Sequence, residues 1–301
     1  MHDHHHHHRE RNRDARSSLR AALTITGTFL VAEFVGALYT NSLALLADAG
    51  HMLTDVAAIG LSLTAFWFAS KPATSTKTYG FYRVEILAAL INGVVLVLIA
   101  LYIFYEAYQR YLKPEPVRAD WMLIIAIAGL LANLASAYLL FSRQSESLNV
   151  RGAFFHVLGD AVGSIGAIGA SVAILGWSWT AADPLISAFV ALLILSSSWV
   201  LIRDAVDVLL ESAPAHIDIV SLKEHLSRVD GVDSVHDLHV WALTSGMLAM
   251  SCHVVVDGES ANPHQVLEGL NTIVRERFQI GHTTIQIEEE NLQRQEVHSC
   301  N

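Results

Sequence analysis

Two short stretches of the sequence place ionisable side chains among apolar residues. They are "ALLADAGHMLTD", residues 44–55, and "AFFHVLGD", residues 153–160, and each contains the spacing H-x-x-x-D. Because positions i and i+4 share one face of a helix, each stretch directs one imidazole and one carboxylate the same way. Two histidines and two aspartates supply the tetrahedral nitrogen and oxygen shell that Zn²⁺ favours. The candidate ligands are His51, Asp55, His156 and Asp160.

The composition indicates that membrane helices position these residues. Hydrophobic residues make up 52% of the 301-residue chain and charged residues only 16%, whereas soluble domains carry roughly 25% charged residues. The mean hydropathy is +0.40. The net charge is +1 for residues 1–203 and −11 for residues 204–301. We therefore expect an apolar membrane part followed by an acidic, polar part. The two cysteines do not make a disulfide framework.

Six apolar segments are long enough to cross a bilayer as helices, since about 20 residues span its hydrocarbon core of about 30 Å. The segments are roughly 18–39, 42–70, 83–112, 119–142, 148–176 and 181–203. Arginine and lysine occur at the N-terminus and in the second and fourth connections, although the third connection also has three. The positive-inside rule therefore favours both termini in the cytoplasm. Asp183 and Pro184 predict the cap and first turn of the sixth helix.

The two H-x-x-x-D motifs fall at matched depths in this topology. At about 1.5 Å per residue, His51 and Asp160 lie about 12–13 Å from the outer surface. On the same scale, Asp55 and His156 both lie at about 18–20 Å. Two facing layers near the bilayer centre result, and two carboxylates offset a 2+ charge where the dielectric is low. Hydrogen bonds or ion pairs between helices are the alternative, but the match in depth favours a metal site.

Residues 205–290 predict a small α+β domain. A helix opened by Asp218 is followed by the strands "SVHDLHVWAL" and "LAMSCHVVVD", which are joined by a turn at Ser245 and Gly246. An amphipathic helix from near Pro263 and a last strand, "TTIQIEEE", complete the order αββαβ. This order is typical of ferredoxin-like, metallochaperone-like domains. Because about 80 residues is marginal for a lone core, we expect the domain to dimerise.

The predicted organisation has four parts. They are a His-rich disordered cytoplasmic N-terminus at 1–16, a six-helix transmembrane domain at 17–204, a cytoplasmic C-terminal domain at 205–290 and a flexible tail at 291–301. The tract "MHDHHHHHRE" binds metal by composition, whether it is native or an expression tag.

The chain resembles the cation diffusion facilitators, a family of zinc exporters, and is similar to the bacterial cobalt–zinc–cadmium and zinc-only members. The resemblance extends from about Arg16 to Glu290. Its motifs are "SLALLADAGHMLTD", "YGFYRVEILAA", "VRGAFFHVLGD", "ADP", "LLESAP", "VHDLHVWALTSG" and "TIQIE". The resemblance implies a homodimer in the bacterial inner membrane and a transport site built by the second and fifth helices from the same four residues. Members with histidine at the first position, as at His51, resemble zinc-preferring carriers, whereas those with aspartate there accept cadmium and manganese more readily.

The resemblance also implies a second metal site, in the cytoplasmic domain. Its candidate ligands are His236, His253 and Glu288, with His282 as a further candidate if the last strand bends. The alternative is that several of these are ordinary surface or core histidines. His236 and His239 would point to opposite faces of a strand, so they do not simply serve one site.

Several further polar residues have open roles. Arg83 and Glu211 match positions that some members pair as a charge interlock between subunits or helices, or they are two solvated charges. Asp48 either lines an outer vestibule or caps a kink, and Glu33 serves gating or packing. The loop "STKTYGFYR" lacks histidine, so we predict no metal site there.

These observations predict a proton-coupled Zn²⁺ efflux transporter that works by alternating access. Cd²⁺, Co²⁺ and Ni²⁺ have overlapping ligand preferences, so they are possible cargoes. Zinc is expected both as substrate and as a regulatory ligand of the C-terminal domain, with protons and the lipid bilayer as further partners and with no organic cofactor or nucleic acid. A metalloenzyme is disfavoured because H-E-x-x-H is absent and four protein ligands leave no open position. The alternatives are a membrane-anchored metal sensor and a passive channel.

Overall fold

The computed structural model describes residues 24, 26–69, 71, 73–141, 148–244, 246–256 and 262–289. These residues form two compact units. One unit comprises the described residues of Met1–Trp67 and Ala88–Ile202, and the other comprises those of Phe68–Leu87 and Arg203–Asn301. The tails predicted at 1–16 and 291–301 lie outside the described residues.

Long helices make up most of the described part of the first unit, and some extend past its limits. Their bounds lie close to the predicted segments over the part described, except that the sixth ends at Leu209 rather than near residue 203. They are α1 (residues 26–40), α2 (Leu43–Ala69), α3 (Arg83–Leu112), α4 (Ala119–Phe141), α5 (Leu148–Trp177) and α6 (Ala182–Leu209). Over the described residues, α3, α4, α5 and α6 are long and apolar enough to cross a membrane. In α2, the stretch Leu43–Leu53 is a shorter apolar helix.

Small residues allow these helices to approach closely. Ala47, Ala100 and Ala191 are fully buried in one apolar cluster that also contains Leu43 and Ile103. Close packing of small side chains is how membrane helices associate when the surrounding lipid is as apolar as the side chains. Large apolar side chains point outward instead, and lipid would surround them. They include Leu98, Leu131 and Trp177, which are 60%, 62% and 77% exposed.

The prediction that Asp183 caps its own helix is wrong. Helix α6 already begins at Ala182, and the Asp183 carboxylate is completely buried. It accepts hydrogen bonds from the backbone N–H groups of Leu43 (2.9 Å) and Ala44 (3.1 Å) and from the Ser42 hydroxyl (2.6 Å). Asp183 therefore satisfies the open N–H groups at the start of α2, a long-range capping contact that local sequence cannot reveal.

The second unit contains the predicted order αββαβ. Its elements are α7 (Ile219–Leu226), β1 (Val232–Thr244), β2 (Met247–Val256), α8 (Pro263–Glu276) and β3 (His282–Glu289). Asp218 caps α7 by accepting from Val220 N and Ser221 N, and Asn262 caps α8. The central strand, β2, is antiparallel to β1 and parallel to β3. The two helices bury Leu222, Leu226 and Leu270 in the core.

Candidate metal sites

The first candidate site joins α2 to α5. His51 Nε2 lies 3.2 Å from Asp160 Oδ1, with the two side chains 25% and 15% exposed. These two residues belong to different H-x-x-x-D motifs, so the structure brings the two motifs together. Asp55 and His156 occupy the same two helices, but their side chains lie outside the described part of the structure. The His51–Asp160 pair offers one nitrogen and one oxygen ligand to a divalent cation.

Buried carboxyl groups accompany this pair. Asp48 lies one turn before His51 on α2 and is only 6% exposed. A Cβ atom added to Gly163 of α5 would lie 2.9 Å from Asp48 Oδ1, so the carboxylate contacts the α5 backbone. Glu33 of α1 is buried as well, with 2% of its surface exposed.

The second candidate site lies on the sheet, with one ligand from each strand. His253 Nδ1 lies 2.7 Å from Glu288 Oε1, and His236 Nε2 lies 3.4 Å from Glu288 Oε2. One ligand atom from each residue falls within 4.8 Å of the others. Glu288 is 2% exposed, whereas the two histidines are partly exposed.

Strand register explains this cluster. His236 of β1 is the direct partner of His253 of β2. In the parallel pair, Glu288 of β3 is the partner of Val255, two positions along from His253. Since residues two apart share a face of a sheet, the three side chains converge.

The cluster has spare ligand capacity. His236 Nδ1 and Glu288 Oε2 are buried without a hydrogen-bond partner among the described residues. Two imidazoles and a carboxylate fill three positions of a tetrahedral zinc shell and leave the fourth for another ligand. The donor set therefore fits a divalent metal.

Two neighbours of the cluster were missed by the sequence analysis. The Gln286 amide donates to Glu288 Oε1 (2.8 Å) and orients the carboxylate. Asp237 Oδ2 lies 4.0 Å from His253 Nε2. The i, i+2 alternation in "TIQIE" could have indicated Gln286, because it places residues 286 and 288 on one face.

The structure separates the remaining candidate histidines from this cluster. His282 begins β3, six positions before Glu288, or about 20 Å along an extended strand. Its ring instead packs edge-on against Tyr79, with centroids 5.5 Å apart. The His239 side chain is largely exposed, and its Nε2 atom lies 3.0 Å from Asp237 Oδ1. An irregularity in the register between His236 and His239 coincides with a left-handed backbone at Asp237 (φ 49°).

Arg83 and Glu211 form an ion pair within one chain. Arg83 Nη2 lies 2.6 Å from Glu211 Oε1, and the side chains are 40% and 57% exposed. The pair belongs to the second unit, in which Thr244 also donates to the Glu85 carboxylate. An exposed pair of this kind contributes roughly 0–1 kcal/mol to stability.

Family models match nearly the whole chain. The one described as "Cation efflux transmembrane domain" matches residues 19–210, and the one described as "Cation efflux protein, cytoplasmic domain" matches residues 214–290. Together they cover both candidate sites.

Full-length relatives give the same result. The chain is 43% identical to "Metal cation efflux system protein CzcD" of Cupriavidus metallidurans, over 90% of this chain and 86% of that protein. It is 42% identical to "Zinc transporter ZitB" of Escherichia coli, over 95% and 91% of the two chains. It is also 42% identical to "Cadmium, cobalt and zinc/H(+)-K(+) antiporter" of Bacillus subtilis, over 89% of this chain and 87% of that protein.

Solved structures are similar to part of the chain, and one of them is a C-terminal domain. It is the metal-bound C-terminal domain of the CzcD transporter of Cupriavidus metallidurans, with 41% identity and a TM-score of 0.23. The match covers 24% of this chain and 99% of that one.

Proposed function

The chain belongs to the cation efflux family, the cation diffusion facilitators, and from that premise we propose that it exports Zn²⁺ from the cytoplasm in exchange for protons. Its relatives are named as zinc, cadmium and cobalt transporters rather than as enzymes. The observation that carries the proposal is the pairing of His51 with Asp160 across α2 and α5. Intramembrane ionisable residues that pair across helices mark ion pathways.

In the proposed cycle, Zn²⁺ is the cargo of His51, Asp55, His156 and Asp160. Only deprotonated imidazoles and ionised carboxylates hold the metal, so metal and protons compete for the same atoms. Cytoplasmic Zn²⁺ binds while the site faces inward. Once the helices rock outward, external protons displace the metal and return with the empty carrier. Imidazole suits this exchange because its unperturbed pKa, about 6.5, lies close to physiological pH.

The proposed architecture has six membrane spans, made by α1 and α2 together with the four strongly apolar helices. Both termini lie on the cytoplasmic side of the bacterial inner membrane. The C-terminal domain, with a ferredoxin-like arrangement, pairs with a second copy. The name of the family model that covers this domain refers to a dimer, which supports a homodimer.

The proposed role of His236, His253 and Glu288 is metal sensing. Zinc bound to this cluster would tighten the dimer and favour the inward-facing form, because a ligand shifts an equilibrium toward the state that it binds better. The carboxylate between two imidazoles supports this role, because a metal would neutralise the buried charge.

The same cluster favours a second candidate function, that of a membrane-anchored metal sensor. In that case the cytoplasmic cluster binds zinc, and the His51–Asp160 pair only joins two helices. A sensor binds metal without moving it, so a transport measurement separates the two candidates.

The deciding experiment is zinc uptake into proteoliposomes under an imposed pH gradient. Wild type, Asp55→Ala and, as a control, Asp120→Asn would be compared. Asp120 is an exposed carboxylate in the first turn of α4. We expect gradient-driven zinc movement in wild type and Asp120→Asn and none in Asp55→Ala. Zinc binding without movement in the wild type would establish the sensor instead.

A further inference from the structure

The connection between α2 and α3 is a basic, aromatic segment that the proposed transport cycle does not use. Residues 70–84 contain three cationic side chains, three aromatic side chains and no acidic residue. The six side chains are Lys71, Lys77, Arg83, Tyr79, Phe81 and Tyr82. In contrast, residues 204–301 carry a net charge of −11. Lysine and tyrosine beside membrane helices are typical of a chain segment that lies at an anionic membrane surface.

This connection forms one wall of a cavity of about 550 Å³ within the second unit. Lys71, Tyr79 and Tyr82 belong to that wall, and residues around the β1–β2 turn and the start of β3 complete the lining. These strand residues include the apolar Leu248 together with His282. Among the described residues that line the cavity, none is acidic. The cavity is therefore suited to an anion that has an apolar part.

A second cavity, of about 420 Å³, shares part of its lining with the first, including Tyr79. Its acidic lining residue, Glu211, is already paired with Arg83 at 2.6 Å. Lys77 lines this cavity as well, and Lys77 Nζ lies 4.4 Å from the centroid of the Phe81 ring. Phe81 in turn lines the first cavity. The Lys77 ammonium therefore lies near both cavities.

Contacts between the connection and the sheet hold the first cavity in shape. The Tyr79 ring packs edge-on against the His282 ring, with centroids 5.5 Å apart. At the beginning of α3, the Glu85 carboxylate accepts a hydrogen bond from Thr244 at the end of β1. The connection itself turns at Gly80, whose left-handed backbone (φ 80°) is a conformation that glycine adopts easily. The cavity is thus preformed by contacts on both of its walls.

The chain positions of the two lysines place the cavity at a membrane surface. Lys71 follows the end of α2 by two positions, and Lys77 precedes the start of α3 by six. Helix α3 is long and apolar enough to cross a membrane, and the family model for the transmembrane domain covers the whole connection. The phosphates concentrated at the cytoplasmic surface of a membrane are the head groups of anionic phospholipids.

We propose that this cavity binds the head group of an anionic phospholipid of the cytoplasmic leaflet. Lys71 and Lys77 contact the phosphate oxygens, since lysine binds phosphate as a point charge. The rings of Tyr79 and Tyr82 lie beside the glycerol, because tyrosine has an apolar body and a polar tip. A bound head group contacts the connection and the sheet at once. The inference goes beyond zinc export and does not depend on it, since it requires only that α2 and α3 are membrane helices.

The test measures how tightly the detergent-solubilised full-length protein retains phospholipid, by native mass spectrometry. The probes are phosphatidylglycerol, which is anionic, and phosphatidylcholine with the same acyl chains, which has no net charge. We expect wild type to bind phosphatidylglycerol more tightly. Lys71→Gln and Lys77→Gln should each weaken its affinity about fivefold, and the double variant about 25-fold, since that is the contribution of one lysine at an anionic surface. Affinity for phosphatidylcholine should not change.

Two further variants separate the cavity from general surface charge. Lys223→Gln removes the same charge from an exposed position on α7 of the same unit, and it should bind phosphatidylglycerol as wild type does. Lys77→Arg keeps the charge and should keep the affinity. Lys71 and Lys77 are both exposed, so their variants should fold.

The outcomes distinguish the head-group site from its alternatives. Equal affinity of wild type for the two lipids, or a loss in Lys223→Gln as large as in Lys77→Gln, would overturn the site. Glycerol phosphate, a soluble phosphate, should compete only weakly. Displacement of the lipid by an equal concentration of it would overturn the lipid in favour of a soluble anion. If wild type prefers phosphatidylglycerol but moves no zinc in proteoliposomes, the exporter proposal fails and the head-group site stands.

Discussion

The two candidate metal sites use the same side chains on different kinds of secondary structure. In the membrane unit, two helices each contribute one imidazole and one carboxylate spaced four residues apart. In the C-terminal domain, three neighbouring strands each contribute one ligand. A site divided between two helices opens when one helix moves against the other. A site on three hydrogen-bonded strands has a fixed register and stays assembled.

This difference fits the two proposed roles. A carrier must release its metal once in every cycle, whereas a sensor must keep its ligands in place. His51 and Asp160 meet only through contact between α2 and α5. Glu288 lies in β3, which pairs with β2 along its length, and it is held further by Gln286. The two sites share their residue chemistry and differ in the elements that carry the ligands.

The largest expected effect is on metal binding and zinc efflux, and it comes from two separate variants that each remove one carboxylate from one site. Asp160→Ala should reduce metal affinity at the membrane site by about 100-fold or more, because even residues behind a ligand contribute 10–100-fold. Zinc efflux from cells should then fall to the level of cells without the protein. Glu288→Ala should lose metal at the sheet but retain efflux. Loss of efflux in both variants would contradict the proposed division between a transport site in the membrane helices and a sensing site on the sheet.

An intermediate effect is expected on stability. Zinc at about 100 times its dissociation constant stabilises the folded C-terminal domain by about 2.7 kcal/mol. For a domain of this size, that corresponds to roughly 10–20 °C in the midpoint of thermal unfolding. His253→Ala should abolish the shift, as should a chelator.

His239→Ala is the matched control for this measurement. His239 lies on the same pair of strands but outside the cluster, so this variant should keep the zinc-dependent shift. A shift lost equally in His239→Ala and His253→Ala would place the metal elsewhere in the domain.

The smallest expected effect concerns Cys252, which neighbours His253 on β2. Successive strand residues face opposite sides, so Cys252 lies in the core, 1% exposed, while His253 faces the cluster. Burial raises the pKa of the Cys252 thiol from 9.0 to about 11. Only the thiolate reacts with iodoacetamide. At pH 8 the native thiol should therefore be labelled about 100-fold more slowly than an exposed one, since two pKa units separate them.

The sign of the accompanying pH effect follows from the raised pKa. The neutral thiol favours the fold, so its contribution to stability is present below pH 9 and lost as the pH rises through about 11. Mass spectrometry of labelled Cys252 in native and urea-unfolded protein measures the difference in rate. Equal rates in the two states would contradict the core position of this residue.

Sequence alone predicts the helical parts of the molecule well for a physical reason. An apolar run of about 20 residues is a strong local signal, and two ligands four residues apart on a helix form a local motif. The His51–Asp160 contact could therefore be anticipated from helix direction and depth.

Contacts between distant elements were harder to predict. Residues 236, 253 and 288 carry no shared spacing, and only the family resemblance pointed to them before strand register explained the cluster. The Asp183 prediction was wrong because its true partners, at the start of α2, are about 140 positions away. Glu33 and Asp48 lie on different helices, so neither segment alone indicates that both carboxyl groups are buried.

The Asp183 contact also constrains the order in which the membrane unit can be completed. Helix α2 leaves the ribosome long before Asp183 is synthesised, and until then the N–H groups of Leu43 and Ala44 lack the carboxylate that accepts from them in the finished protein. Unsatisfied backbone groups are costly in lipid. The last membrane helix therefore completes the first turn of the second, so a chain stopped after α5 would contain every proposed cargo ligand and still lack a properly finished α2.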